Sequence, residues 1–247
     1  MCSRNVRTIF RREFRNFFNS PVAYVFLVAF LLLVGFFTFL AAGFYERRTA
    51  DLTPFFLWHP WVYLLLVPAA TMGLWAEERR TGTIELLLTL PVTLAEAILG
   101  KFLAAWAFLA IGLALTFPIV LTTTFWLGGQ LDAGAAFAGY LGSALLAGTF
   151  VAVGTLASAV TRSQVIGFVL AFCVCLVLNL IGFDLFTNLF AKWAPRLVEA
   201  VAAASTLRHF DAMRRGVIDF YDLAYYAGVM VFGLTAAHVV LNSRRAA

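Results

Sequence analysis

Charge is what this sequence has least of. Only 13% of its 247 residues are Asp, Glu, Lys or Arg and 62% are apolar, whereas soluble domains run at about 25% and about 45–50%. The 26 Phe outnumber the 18 Lys plus Arg. A chain of this length cannot hide that much apolar surface within itself, so lipid is the solvent for most of it. Cysteine is scarce too, which excludes a disulfide framework: Cys2 stands beside an Arg-rich stretch with no signal peptide, and Cys173 and Cys175 are the other two. Residues two apart point to different faces of a helix, so this pair reads as small packing residues rather than a metal or redox site. The three histidines, His59, His209 and His238, lie far apart, and neither an H-E-x-x-H nor a G-x-S-x-G pattern occurs. No Asp or Glu falls inside an apolar run, which argues against a proton-coupled carrier with a midplane carboxylate. The net charge of +5 is no nucleic-acid signal, because the positive residues collect at the ends of apolar runs. The chain therefore reads as an all-α polytopic membrane protein with no catalytic, metal or cofactor site of its own.

Arginine is what the N-terminus does have. At about 100° per residue, Val6, Ile9, Phe10, Phe14, Phe17 and Phe18 fall on one broad arc and Arg4, Arg11, Arg12 and Arg15 opposite it. The pattern predicts a basic amphipathic helix over 3–19, lying in the membrane interface with its arginines toward anionic headgroups. Glu13 breaks the pattern by landing in the apolar arc, either snorkelling beside an Arg or bridging to another cytoplasmic element.

Six spans follow, at about 22–44, 55–76, 97–127, 133–160, 165–183 and 223–241. The run after the five N-terminal arginines is too long for a cleaved signal and stays as the first anchor. Trp58, His59 and Trp61 open the second span as an interfacial belt, and Pro60 and Pro68 predict kinks in it. Lys101 sits near the cytoplasmic end of the third span, where it can snorkel. The fourth carries small residues at helical spacing, Ala144, Gly148 and Ala152, then Gly154 and Ser158, a packing feature rather than chemistry. Asn179 inside the fifth needs a partner, so it faces protein or a water-filled path. Residues 184–222 form an extracytoplasmic segment with a helix near 196–215 that ends at Gly216. With both ends in the cytoplasm, that side carries eleven of the Lys and Arg against seven outside, and five of the acidic residues against eight. The positive-inside rule supports this orientation.

Between the second and third spans lies the least membrane-like stretch, 77–91. Gly82 breaks the preceding helix, a short helix over 83–90 ends at Pro91, and Thr93 with Glu96 forms a capping box that opens the third span. The loop is either a plain interfacial connection, with Ile84, Leu87 and Leu88 resting on lipid, or an element that docks on a soluble partner. Gly100-Lys101-Phe102 is no phosphate loop, since Ala95 stands where its first glycine would be.

The block Met72-Gly-Leu-Trp-Ala-Glu-Glu-Arg-Arg-Thr-Gly-Thr-Ile-Glu-Leu-Leu-Leu-Thr-Leu-Pro-Val92, with Gly100-Lys101-Phe102, resembles the signature of type-2 (G-type) ABC exporter permeases. Within them it looks most like the gliding-motility-associated group, and a copper-maturation permease group is a more distant relative. The resemblance extends to Asn19-Ser20-Pro21-Val22-Ala23-Tyr24 and to Arg215-Gly216-Val217-Ile218-Asp219. It implies a bacterial inner-membrane permease whose coupling helix, 82–91, sits on a separate cytoplasmic ABC ATPase that uses ATP and Mg. Glu77, Glu78, Arg79, Arg80 and Glu85 would be the polar groups of that contact, with Gly82, Thr83, Ile84 and Leu88 shaping it. The N-terminal helix, with Phe10, Glu13 and Phe14, would be the connecting helix, and Glu13 would pair with Arg79 or Arg80. Two permease copies, or one and a paralogous membrane subunit, would complete the unit. The second and fifth spans would face the central path, with Asn179 a candidate path residue and the helix near 196–215 an outer cap. The alternative function is a non-transporting scaffold of a gliding-type surface machine.

Overall fold

The computed structural model describes residues 2–41, 52–83, 92–126, 132–181 and 203–243, and among these every regular element is a helix. Helix α1 is Cys2–Asn19 and α2 is Pro21–Phe36, prolonged by a wider turn at Phe37–Ala41. Ser20 separates them: its hydroxyl caps α2 by accepting from the Val22 N–H, and Pro21 takes the first turn, where its missing N–H costs nothing. Helices α3 (Thr53–Leu57), α4 (His59–Thr71) and α5 (Gly73–Thr81) occupy the region of the second expected span. They are followed by α6 (Leu94–Ala114), α7 (Phe117–Trp126), α8 (Ala133–Val160), α9 (Gln164–Leu180), α10 (Thr206–Arg214) and α11 (Phe220–Ser243).

Among the described residues, four stretches are long and apolar enough to cross a membrane: Pro21–Leu40, Leu94–Leu121, Ala133–Val160 and Phe220–Ser243. Gln164–Leu180 is apolar but shorter. The second region is broken at Trp58 and Met72, and its last piece runs on to Thr81, so the charges from Glu77 to Arg80 are helical. Gly82, at φ 75°, then ends α5 in the left-handed conformation that suits glycine. The third region is broken at Leu115–Thr116, just before Pro118, which has no N–H with which to continue the helix. Most of the expected coupling helix, with Ile84, Glu85 and Leu88, lies outside the described residues, as does the extracytoplasmic segment before Ala203.

Helix α8 is the centre of the bundle, with α4, α5, α6, α9, α10 and α11 packed around it. Its small residues permit this. A Cβ on Gly139 would strike the Phe56 ring, one on Gly148 the Trp106 ring and Met230, and one on Gly154 the Thr71 side chain. Close approach by small residues is the usual route to helix association where lipid removes the hydrophobic drive. His59 departs from the interfacial reading. It is fully buried, its Nδ1 lies 3.1 Å from the Phe55 carbonyl, and Phe30, Phe55, Phe56 and Tyr63 surround its ring. A belt position needs a wet edge, and the packing of α3 and α4 on α2 removes it.

Helix α1 packs lengthwise along the first half of α6. Asn5 donates to Glu96, Ile9 lies against Gly100, and Phe17 stacks on Phe108 with ring centroids 5.0 Å apart. These pairs advance together along both chains, so the two helices run parallel. A Cβ on Gly100 would come within 2.7 Å of Ile9 Cγ2, which is why glycine stands there.

Candidate functional site

Five consecutive residues of α5 are tied to four other helices. The first turn of any helix leaves its N–H groups without intrahelical partners. Here the Ser158 hydroxyl of α8 accepts from the N–H groups of Trp75 and Ala76, both at 3.0 Å, and donates to the Met72 carbonyl at 2.8 Å. The hydroxyl thus acts as an N-cap supplied from another span, at the break between α4 and α5. Glu77 accepts from Gln164 of α9 at 3.2 Å, and the Arg79 guanidinium donates to the Ala159 carbonyl at 2.5 Å. Arg80 lies 3.9 Å from Glu77 on the same helix.

The strongest tie is through Glu78. Lys101 of α6 is only 3% exposed, and its Nζ lies 2.9 Å from Glu78 Oε1 and 3.5 Å from Glu13 Oε1. Arg12 Nη2 is 2.7 Å from the same Glu13 oxygen and 3.9 Å from Glu78 Oε1. The Lys101 ammonium also sits 5.2 Å above the Trp75 ring, within cation–π range. Two cations and two carboxylates from α1, α5 and α6 therefore neutralise one another. An ammonium as dry as that of Lys101 persists only when paired, so the cluster fixes where α5 stands relative to α1 and α6.

This arrangement revises several sequence expectations. Lys101 does not snorkel, because Glu13 and Glu78 bring counter-charges to it inside the fold. Among the described residues the ion-pair partners of Glu13 are Arg12 and Lys101, not Arg79 or Arg80, which point to other groups. Of the residues expected to meet a partner, Glu78 and Arg79 are engaged within the chain. Glu77 and Arg80 remain more than half exposed, and Gly82 and Thr83 are exposed beyond them. Phe10 and Phe14 are half-buried on α1. Ser158 and Lys101 are the residues that sequence reasoning missed. The available signals were a lysine in an apolar run and a carboxylate, Glu13, inside an apolar arc. Ser158→Ala is expected to loosen the start of α5 by about 1–2 kcal/mol. Hydrogen exchange of the peptide covering 73–83 reads this, and unchanged protection would refute the cap.

A second polar cluster lies at the far end of α9. Asn179 is fully buried, accepts from the Thr206 hydroxyl at 2.7 Å, and has its amide nitrogen 3.5 Å from the Pro60 carbonyl. Within this chain it faces protein and joins α9 to α10. The Thr206 carbonyl accepts from the Tyr226 hydroxyl of α11 at 3.0 Å. His209 of α10 places Nδ1 2.6 Å from Asp222 Oδ1 of α11 and Nε2 2.9 Å from the Ala203 carbonyl, and its ring stacks on Tyr225 at 4.0 Å. Gly216, at φ 89°, follows α10 as expected.

Among the described residues no group of three or more His, Cys, Asp or Glu could hold a metal ion. Cys173 is exposed and Cys175 buried, on different faces of α9. No curated protein matches the chain. Residues 7–196, however, match the model of a family described as ABC-2 family transporter protein; with its apolar helices and charge-anchored α5, the chain belongs to that family and is a multi-pass membrane protein of the ABC transporter permease kind.

Proposed function

We propose that this chain is the membrane-spanning subunit of an ATP-driven exporter and takes its energy from a separate cytoplasmic ABC ATPase. The observation that carries the reading is the anchoring of α5 by Ser158, Lys101, Arg12 and Gln164, shortly before the stretch 84–91. A force-bearing contact has to be mounted rigidly, and α5 is held by bonds to four helices, so a push on the residues that follow it would be delivered to the bundle rather than absorbed. In this reading Glu77, Arg80, Gly82, Thr83, Ile84, Glu85 and Leu88 meet the ATPase, while Glu78 and Arg79 hold the mount. Helix α1 is then the connecting helix, with Glu13 its ionic link to the mount. The pieces α3–α5 and α9 serve as the second and fifth of six spans, with both ends in the cytoplasm of a bacterial inner membrane. ATP and Mg act in the partner. A second permease copy or paralogous subunit completes the unit, and the exposed row Ile166, Leu170 and Val177 of α9 gives it an apolar surface to meet.

Glu85→Arg tests the reading. The variant is expected to insert normally and to lose at least about tenfold in binding to the ATPase, as reversal of a contact charge would. Pull-down with the cognate ATPase reads this, and unchanged binding with unchanged coupled activity would sink the proposal. The likeness of residues 72–92 to gliding-associated permeases favours a second reading, a non-transporting scaffold of a surface machine. Reconstituted pairs distinguish the two: a transporter shows substrate-stimulated ATPase activity, and a scaffold shows none.

A further inference from the structure

Three bending features meet where α4 passes into α5. Pro68 has no N–H, so the helix ladder loses a bond there. The Thr71 hydroxyl donates back to the Val67 carbonyl at 2.8 Å, an arrangement that bends helices. Ser158 of α8 then inserts its hydroxyl into the ladder, taking the N–H groups of Trp75 and Ala76 and donating to the Met72 carbonyl. Gly73 stands at the same level, where an added Cβ would meet nothing nearer than 3.7 Å, so close packing does not account for it. Despite the break, Met72 keeps φ −55° and ψ −32°, within about 10° of an ordinary helix. Straightening the chain therefore needs no new backbone conformation.

The two sides of this joint are held differently. Directional bonds fix α5: Glu78 to Lys101, Arg79 to the Ala159 carbonyl and Glu77 to Gln164. Helix α4 is held by apolar packing, with Val62, Leu64, Leu66 and Val67 buried, and the Asn179 amide stands 3.5 Å from the Pro60 carbonyl. Ion pairs hold one geometry, whereas packed apolar helices slide in small steps. In an unbroken helix the Trp75 N–H would need the Thr71 carbonyl, four residues back. With Ser158 in that role, α4 can tilt without stranding the first N–H groups of α5. Closing the ladder would return the Trp75 N–H to Thr71 and free the Ser158 hydroxyl for the Gly154 carbonyl, four residues back in its own helix. Neither arrangement leaves these groups unpaired.

We propose that Met72 is a hinge and that the Ser158 hydroxyl is its exchangeable splice: α4 swings against the bundle while α5 stays seated. Kinks made by a group inserted in the ladder reach about 20°. Leu65 stands one turn of helix and a further turn from Met72, about 10 Å away along the axis. Taking up such a kink moves it by about 4 Å. In an exporter the hinge lets one half of the second span move while the mount keeps its place. That use rests on the reading proposed above; the hinge itself does not, and its test needs no ATPase.

Dipolar distances between spin labels on the full chain in lipid nanodiscs test this. Labels are placed through Leu65→Cys on α4 or Arg80→Cys on α5, each paired with Phe232→Cys on α11, and all three positions are exposed. Cys2, Cys173 and Cys175 are changed to alanine in this background. Ser158→Ala removes the bonds that keep the ladder open, and should shift the ratio of broken to continuous helix at least about tenfold toward continuous. The distance from 65 to 232 should then move by about 4 Å and that from 80 to 232 by less than about 1 Å. Gly154→Ala acts by a separate route, since its Cβ would come within 2.0 Å of Thr71 Oγ1 and wedge α4 away from α8 beside the hinge. About 10° of tilt from that wedge displaces Leu65 by about 2 Å, again with Arg80 in place. An unmoved Leu65 in either folded variant would overturn the hinge. So would an Arg80 that moves as far as Leu65, because the second span would then be a single rigid rod.

Discussion

Lys101→Met is expected to destabilise the protein by about 3 kcal/mol and to release α1 from the bundle. Methionine fills much the same volume but leaves two carboxylates, the buried Glu13 and the half-buried Glu78, without the ammonium now 3.5 Å and 2.9 Å from them. Removing one partner of a buried ion pair costs about 3–5 kcal/mol, because the remaining charge is stranded. The lower end applies here, since Arg12 still reaches both oxygens and is itself half exposed. The readouts are the midpoint of unfolding in mixed micelles and the rate of tryptic cleavage within α1, which should rise by at least about tenfold. Combining Lys101→Met with Glu13→Gln and Glu78→Gln removes every stranded charge, and this triple variant should return to within about 1 kcal/mol of the parent. If the single variant cleaves and unfolds like the parent, the cluster is not what holds α1. If the triple variant is as unstable as the single one, the defect is packing rather than charge.

The same cluster depends on contacts between residues far apart in the chain. Features governed by a few neighbouring residues are legible in the chain. Helix α8 starts just after Asp132, which accepts from the N–H groups of Gly134 and Ala135 as a residue of its type does before a helix. Thr93 and Glu96 cap each other's backbone as their spacing predicts, and Gly82 and Gly216 take the positive φ that helix ends favour. Each of these depends on contacts within about four residues. Lys101 does not: its counter-ions come from α1 and α5, and seen alone beside an apolar run it has the profile of a snorkelling side chain. Ser158 reads as one more small residue in a packing stripe because its three partners are more than eighty residues away. Glu13 was visible as an anomaly, and the anomaly was informative. The carboxylate sits in the apolar arc because that part of the arc faces a buried lysine rather than lipid. His59 failed in the opposite direction, since a residue between two tryptophans reads as interfacial until neighbouring helices close over it.

At the other end of the bundle, His209→Leu is expected to cost about 3–5 kcal/mol and to undock α10 from α11. Proton placement makes the effect this large. A carbonyl can only accept, so the 2.9 Å contact with Ala203 puts a proton on Nε2 of His209. The 2.6 Å contact between Nδ1 and Asp222 Oδ1 must hold a second proton, whichever atom carries it, because a bare ring nitrogen facing a carboxylate would repel it. The pair is therefore neutral as a unit, and leucine in place of the imidazole leaves a carboxylate whose other oxygen, Oδ2, already has no hydrogen-bond partner among the described residues. Asp222→Asn should be milder, about 1–2 kcal/mol, because the amide can donate to the ring nitrogen of a neutral imidazole. His209→Leu with Asp222→Leu should recover much of the loss, as paired apolar replacements of buried ions do. Hydrogen exchange over 206–216 measures each variant. That helix is also tied to α9 through Thr206 and Asn179 and to α11 through the Tyr226 hydroxyl, so its undocking should expose those bonds as well. A double variant whose loss equals the sum of those of His209→Leu and Asp222→Leu alone would show that His209 and Asp222 act independently, and the latch would be refuted.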